Sequence, residues 1–149
     1  MAKKTSMCFV CTGNTCRSPM AQFILKSKVS GDPNMDIKIT SFGTNVNEEE
    51  MNPLSKTVLK SHKIKMTKFI PKQLSPDKVK GFEAIVCMTD SMMQRLISEG
   101  YKNVYSVNQL TRLGDVVDPY GKGIESYNEC YLQLDKACDI IYDMLKKVL

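Results

Sequence analysis

The stretch from Val10 to Pro19 constrains this chain more than any other. It reads Val-Cys-Thr-Gly-Asn-Thr-Cys-Arg-Ser-Pro, and a short apolar run ends where it begins. An apolar pattern with helical spacing follows it. The stretch therefore predicts a buried strand, a tight loop and the first turn of a helix. Gly13 and Asn14 are residue types that tolerate the left-handed or strained dihedrals of such a loop.

Cys11 and Arg17 give this loop its predicted chemistry. Backbone N–H groups and the positive end of a helix dipole point into a loop of this kind. A thiol in such surroundings loses its proton readily, and a guanidinium matches two oxygens of a phosphate-like group. The Cys-x5-Arg spacing alone arises easily by chance in a chain with six cysteines. The preceding strand, Ser18 and a proline suited to the first helical turn make it more specific. We therefore expect the chemistry of a phosphocysteine intermediate.

The composition is that of a globular chain. Of the 149 residues, 42% are apolar and 25% are charged, which is enough for one domain, residues 1–149, with a proper core. The formal net charge of +5 fits a solvated surface or an attraction for anionic substrates. The lysines are scattered, so nucleic-acid binding is not expected. Neither a signal peptide nor an apolar run long enough to cross a membrane stands out, and we expect a cytoplasmic protein without membrane contact.

The cysteines do not suggest a disulfide framework or a metal site. Cys8 and Cys11, three residues apart on one strand, would point to opposite faces of the sheet. His62 is the only histidine and is expected to pack or to cap a helix. No metal or cofactor is therefore predicted. We expect small buried hydrophobic roles for Cys8, Cys87, Cys130 and Cys138.

Strands and helices are predicted to alternate along the chain. Strands are expected over residues 6–10, 37–42, 84–88 and 104–107. Helices are expected over 18–29, 53–62, 75–80, 90–100 and from about 127 to the C-terminal end. The segment 108–123 is predicted to be a long functional loop without a regular element. This alternation predicts an α/β fold of three layers, a parallel sheet with helices on both faces. Cys11 and Asp118 would lie beyond the carboxyl ends of strands, on one rim.

Two motifs carry a resemblance to a known family. The loop at Cys11 and the run Asp118-Pro119-Tyr120 resemble the low-molecular-weight protein tyrosine phosphatases, over essentially the whole chain. The resemblance implies a four-stranded sheet of order 2-1-3-4. It also implies hydrolysis of phosphotyrosine in proteins, or of small aryl phosphates, with inorganic phosphate as product.

The residues and the resemblance together predict a mechanism. Cys11 attacks phosphorus, Arg17 bridges two phosphate oxygens, and Asp118 acts first as general acid and then as general base. Ser18 is expected to stabilise the thiolate. The phosphate-binding loop is predicted to comprise Thr12, Gly13, Asn14, Thr15, Cys16, Arg17 and Ser18.

Supporting roles follow from the family pattern. Asn14 is expected to hold the loop through a bond to Ser41, and Tyr120 to form one wall of the pocket. Cys16 resembles the family's redox partner, which forms a reversible disulfide with the nucleophile; otherwise it is only a small loop residue. Asp115 is the next candidate for the acid.

The sequence departs from the family at some positions, and other functions remain open. Polar Thr15 replaces an apolar loop residue, and no tryptophan is present to line the pocket. A thioredoxin-coupled arsenate reductase shares the Cys-x5-Arg loop but needs two further cysteines close together. Cys87 stands near the first of these without a second. A non-catalytic phosphotyrosine-binding module is the other alternative, and the intact trio of Cys11, Arg17 and Asp118 argues against it.

Overall fold

Four parallel strands form the centre of the molecule. The computed structural model describes residues 4–148. Strands β1 (Thr5–Cys11), β2 (Ile37–Gly43), β3 (Ala84–Cys87) and β4 (Val104–Ser106) pair in the order β2-β1-β3-β4. The predicted sheet and its strand order are confirmed.

Five α-helices cover the two faces of this sheet within residues 4–148. They are α1 (Arg17–Val29), α2 (Pro53–Ser61), α3 (Asp90–Ser98), α4 (Val107–Thr111) and α5 (Ile124–Val148). The short helix expected near residue 76 is a 3₁₀ turn at Pro76–Val79. The predicted helices at α1, α2 and α3 each match the observed helix at one end and differ by one or two residues at the other.

Side chains alternate between the two faces of β1. Met7, Phe9 and Cys11 join the core cluster formed with α1, α2 and α5. Cys8 and Val10 join a second cluster with α3 and the 3₁₀ turn. This alternation follows from the two-residue period of a strand, and it places Cys8 on the side of the sheet away from Cys11, as expected.

The segment after β4 is where the prediction is wrong. Residues 108–123 were expected to lack a regular element, yet α4 runs from Val107 to Thr111. Ser106 and Gln109 form a capping box, in which each side chain accepts from the other residue's backbone N–H. Val107 is fully buried and anchors the turn. The chain between α4 and α5 is irregular.

Helix α5 packs along α1. Lys28 of α1 lies 2.7 Å from a carboxylate oxygen of both Asp135 and Asp139. His62, which follows α2, stacks on Tyr131 with ring centroids 3.8 Å apart, and its backbone N–H caps the helix. These contacts agree with the packing or capping role expected of the histidine.

Across residues 4–148, no helix combines the length and the apolarity needed to cross a membrane.

Candidate active site

The loop between β1 and α1 surrounds the Cys11 sulfur. Cys11 is the last residue of β1, and its side chain is buried. Its Sγ lies 2.9 Å from the Oγ of Ser18, in the first turn of α1. A hydroxyl at this distance can donate a hydrogen bond to a thiolate.

Asn14 fixes the shape of this loop. Its φ of 57° is left-handed, a conformation that asparagine tolerates better than most residues. Its side-chain amide donates to Ser18 Oγ at 2.8 Å and to Ser41 Oγ at 3.0 Å. Its side-chain oxygen Oδ1 accepts from the backbone N–H of Lys72 at 2.9 Å. The contact with Ser41 expected from the family pattern is thus present. Ser41 in turn donates to Gln22 Oε1 at 2.6 Å.

Gly43 lets β2 pass close behind the loop. A Cβ there would lie 2.7 Å from the Thr12 carbonyl oxygen and 3.0 Å from the Asn14 nitrogen, so only glycine fits. The next two residues donate backbone N–H groups to the carbonyls of Cys11 and Thr12. Sequence reasoning did not single out Gly43, although its position at a strand end was a usable signal.

Arg17 joins the loop to the aspartate segment. It is almost fully buried at the start of α1. Its Nη1 donates to the Val116 carbonyl at 3.1 Å, and its Nη2 lies 3.6 Å from Asp118 Oδ2. The Asp118 side chain is 49% exposed and accepts from the backbone N–H of Tyr120.

A cavity of about 220 Å³ brings the predicted residues together. Its walls include Cys11, Arg17, Asp118 and Tyr120. Asp115 does not line it; its Oδ1 accepts from the backbone N–H of Asp90. Asn45, Asn47 and Glu48 also line the cavity, and they were not predicted as site residues because the loop after β2 carries no motif. The remaining lining residues are Thr12, Gly13, Thr15 and Cys16.

Cys16 lies in the loop with its thiol facing α5. The Tyr127 hydroxyl, on that helix, is 3.4 Å from Cys16 Sγ. Burial raises the pKa of Cys16, and the hydrogen bond with Tyr127 partly offsets that rise. Burial likewise raises the pKa of Tyr127. This thiol is therefore held mainly in its neutral form.

The four cysteines predicted to be core residues are buried and free. Burial raises the pKa of Cys87 and Cys130 to about 12. It also raises the pKa of Cys8 and Cys138. Such thiols are poor nucleophiles near neutral pH. Among residues 4–148, no group of three or more His, Cys, Asp or Glu side chains could hold a metal ion.

The parallel α/β sheet and the Cys-x5-Arg loop beside an aspartate define a cysteine-dependent phosphatase. The family model described as "Low molecular weight phosphotyrosine protein phosphatase" matches residues 6–148. The chain belongs to that family.

Individual relatives support this family assignment, but their names give two different substrates, phosphotyrosine and phosphoarginine. The chain is 35% identical over 130 residues to a low molecular weight protein-tyrosine-phosphatase, PtpB, of Staphylococcus haemolyticus, covering 85% of this chain and 89% of that protein. The crystal structure of a low molecular weight protein tyrosine phosphatase from T. tengcongensis superimposes with a TM-score of 0.86 at 29% identity, over 95% of this chain and 99% of that one. An arginine phosphatase from Geobacillus stearothermophilus does so with a TM-score of 0.85 at 28% identity, over 96% and 94%.

Proposed function

We propose that this chain hydrolyses phosphotyrosine in proteins, and small aryl phosphates, through a phosphocysteine intermediate on Cys11. The observation that carries the proposal is the single cavity shared by Cys11, Arg17 and Asp118. The buried sulfur lies at its base beside the Ser18 hydroxyl, and the aspartate is partly open to solvent. Cys11 thus supplies a nucleophile, Arg17 a cationic group that binds phosphate oxygens, and Asp118 a proton donor.

In the first step, the Cys11 thiolate attacks phosphorus and the bond to the phenolic oxygen breaks. Asp118 donates its proton to that oxygen, so the leaving group departs as a neutral phenol. Backbone N–H groups of residues 12–17 and the Arg17 guanidinium stabilise the charge on the phosphoryl oxygens. Arg17 has five N–H donors, and its contact with Val116 uses one of them.

In the second step, water attacks the phosphocysteine and Asp118 accepts a proton from it. The sulfur–phosphorus bond breaks, and inorganic phosphate leaves. Ser18 stabilises the sulfur as it regains its negative charge. Tyr120, exposed at the rim, serves as one wall for the phenyl ring of the substrate.

Turnover of p-nitrophenyl phosphate and of a phosphotyrosine peptide tests this proposal. Cys11→Ser is expected to abolish both reactions, and Cys87→Ser, a change of the same kind on the far side of the sheet, is the matched control. Failure of the wild type to hydrolyse either compound would favour the non-catalytic phosphotyrosine-binding alternative. The arsenate reductase alternative has little support, because Cys87 is fully buried on β3 and away from the Cys11 side of the sheet.

A second substrate, phosphoarginine, is favoured by the polarity of the cavity wall. Thr15, Asn45, Asn47 and Glu48 line it, and Tyr120 is the one aromatic side chain among the lining residues. The guanidinium of phosphoarginine presents N–H donors that need acceptors, whereas a phenyl ring needs apolar walls. The arginine phosphatase named above shares this fold.

A substitution at Thr15 that removes its hydroxyl distinguishes between these two substrates. Thr15→Val keeps the shape of the side chain and removes its oxygen. If the chain acts on phosphoarginine, this variant is expected to lose about tenfold in kcat/KM for a phosphoarginine peptide, the effect of one hydrogen bond to a charged group, and to keep its phosphotyrosine activity. Thr57→Val, on the exposed face of α2, is the control. Equal effects on both substrates would remove the support for phosphoarginine.

We further propose that the protein acts in the cytoplasm. The support is that all six cysteines are free, as is usual in a reducing compartment.

A further inference from the structure

Asp118 has few contacts of its own to hold it in place. It lies in the irregular segment between α4 and α5, and its side chain is half exposed. Its carboxylate accepts from the Tyr120 backbone N–H at 3.0 Å and approaches Arg17. A misplacement of about 1 Å in a reacting group can cost about a hundredfold in rate. The position of Asp118 must therefore be set by the chain around it.

Asp115, three residues before Asp118, is hydrogen-bonded to two helices. Its carboxylate Oδ1 accepts from the backbone N–H of Asp90, the first residue of α3, at 2.9 Å. Its carbonyl oxygen accepts from the side-chain amide of Gln133, on α5, at 3.0 Å. The same amide nitrogen lies 3.3 Å from the Leu113 carbonyl oxygen. The backbone just before the acid is thus fixed between α3 and α5.

Val116 continues this attachment toward the sheet. It is fully buried, and its N–H donates to the Met88 carbonyl, just past the end of β3, at 2.9 Å. Its own carbonyl accepts from Arg17 Nη1. The segment that carries the acid is therefore joined to the phosphate-binding arginine through Val116, and Asp115 holds the backbone just before it.

The start of the segment is held as well. Asn108 Oδ1 accepts from the Gly114 N–H at 2.9 Å, and the Asn108 amide donates to the Asp90 carboxylate at 2.9 Å. Asp90 also accepts from Ser106 Oγ at 2.5 Å. Neither Asp115 nor Gln133 lines the cavity that holds Cys11, and the same is true of Asp90, Ser106 and Asn108.

We propose that Asp115 and Gln133 are positioning residues that orient Asp118 toward the leaving group of the substrate. The inference rests on the proposed role of Asp118 as general acid. Loss of either bond frees the backbone at residues 113–115, and Asp118 then donates its proton less effectively. Val116 keeps its own hydrogen bond to the Met88 carbonyl, so its carbonyl still accepts from Arg17 and the phosphate cradle keeps its geometry.

The test is kcat/KM measured across a series of aryl phosphates, from phenyl phosphate to dinitrophenyl phosphate. A poor leaving group depends on the acid, whereas an activated one departs without its help. Gln133→Leu and Asp115→Ala are expected to lose about tenfold with phenyl phosphate and little with dinitrophenyl phosphate. Asp115→Asn keeps an acceptor oxygen and is expected to restore most of the loss. Gln94→Leu, the same change at an exposed position on α3, is the control.

Two results would overturn the inference. One is a uniform loss across the series with weaker inhibition by inorganic phosphate, which indicates general structural damage. The other is wild-type behaviour in both Gln133→Leu and Asp115→Ala. Asp118→Ala in the same series tests the proposed function separately. If it keeps the wild-type dependence on the leaving group, the role of Asp118 fails, whatever the other variants do.

Discussion

Ser18 Oγ lies 2.9 Å from Cys11 Sγ, and it receives a hydrogen bond from the Asn14 amide at 2.8 Å. Because Asn14 supplies the bond that the oxygen accepts, Ser18 can donate its hydroxyl proton, and the sulfur at 2.9 Å is nearer than the Phe42 carbonyl oxygen at 3.5 Å. A short chain of polar groups therefore connects the strained loop residue to the nucleophile.

Removal of this hydroxyl should slow catalysis. Ser18→Ala takes a donor away from the thiolate and from the sulfur that leaves in the second step. Hydrogen bonds to charged groups contribute about 1.5–3 kcal/mol, so we expect kcat to fall by roughly ten- to a hundredfold. Steady-state kinetics with p-nitrophenyl phosphate measure this. Ser98→Ala, at an exposed position of α3, should match the wild type. An unchanged kcat in Ser18→Ala would show that the sulfur does not depend on this contact.

Asn14 should matter for stability as well as for rate. Asn14→Ala removes bonds to Ser18, Ser41 and Lys72 and leaves an alanine at positive φ. At about 1 kcal/mol for each of the three bonds, we expect a loss of about 3 kcal/mol in the free energy of unfolding, measured in urea. Asn14→Gly also lacks the bonds but tolerates the dihedral, so it should be about 1 kcal/mol more stable than the alanine variant.

The control for this pair is Asn103→Gly. Asn103 also has positive φ but lies just before β4, at the other end of the sheet. Its replacement should leave turnover unchanged. If Asn14→Ala kept both wild-type stability and wild-type rate, the loop would not depend on its amide.

Cys16 should protect the nucleophile from irreversible oxidation. We expect mild peroxide to produce a Cys11–Cys16 disulfide, because the two thiols share one short loop and the sulfenic acid formed first condenses with a nearby thiol. Peptide mapping by mass spectrometry detects the link, and a thiol reductant should restore activity. Cys16→Ser should instead accumulate sulfinic acid on Cys11. Persistent sulfinic acid in the wild type would contradict the role, and Cys130→Ser serves as the matched control.

Asp90 should make the fold sensitive to acid. Hydrogen bonds from Ser106 and Asn108 lower the pKa of Asp90 below its ordinary value. The folded state then binds the proton less readily than the unfolded state. The stability that Asp90 contributes is present above the ordinary aspartate pKa of about 3.9 and is lost as the pH falls through the lower folded-state value.

The measurement for Asp90 is the Tm as a function of pH. Below about pH 4, the wild-type Tm should fall more steeply than that of Asp90→Asn, which has no carboxylate to protonate. Asp77→Asn, an exposed change on the 3₁₀ turn, should follow the wild-type curve. Parallel curves for the wild type and Asp90→Asn would contradict the prediction.

Local patterns in the sequence were enough to predict most of the fold. The apolar run at residues 84–88, the turn residues after α1 and the amphipathic stripe of α5 each determine an element through nearby residues. The loop at Cys11 could be read in the same way, since its residue types and spacing lie within ten positions. The sheet order came from the family resemblance and not from these patterns.

What the sequence did not reveal depends on distant contacts. Helix α4 is short and polar, and it forms because Ser106 and Gln109 cap it while Val107 is buried beneath α5. Asp115 looked like a second candidate acid, since sequence alone cannot show that its carboxylate binds the start of α3. Gln133 carried no signal at all, because its amide meets carbonyl groups about twenty positions earlier.

The most direct test of the account is to find where the phosphate resides during turnover. Asp118→Asn should slow hydrolysis of the intermediate, so the protein can be denatured at alkaline pH during reaction with dinitrophenyl phosphate, whose leaving group departs without the acid, and mapped by mass spectrometry. We predict a phosphate on Cys11, absent from Cys11→Ser. A phosphate on any other residue, or product release with no phosphorylated enzyme at any time, would contradict it.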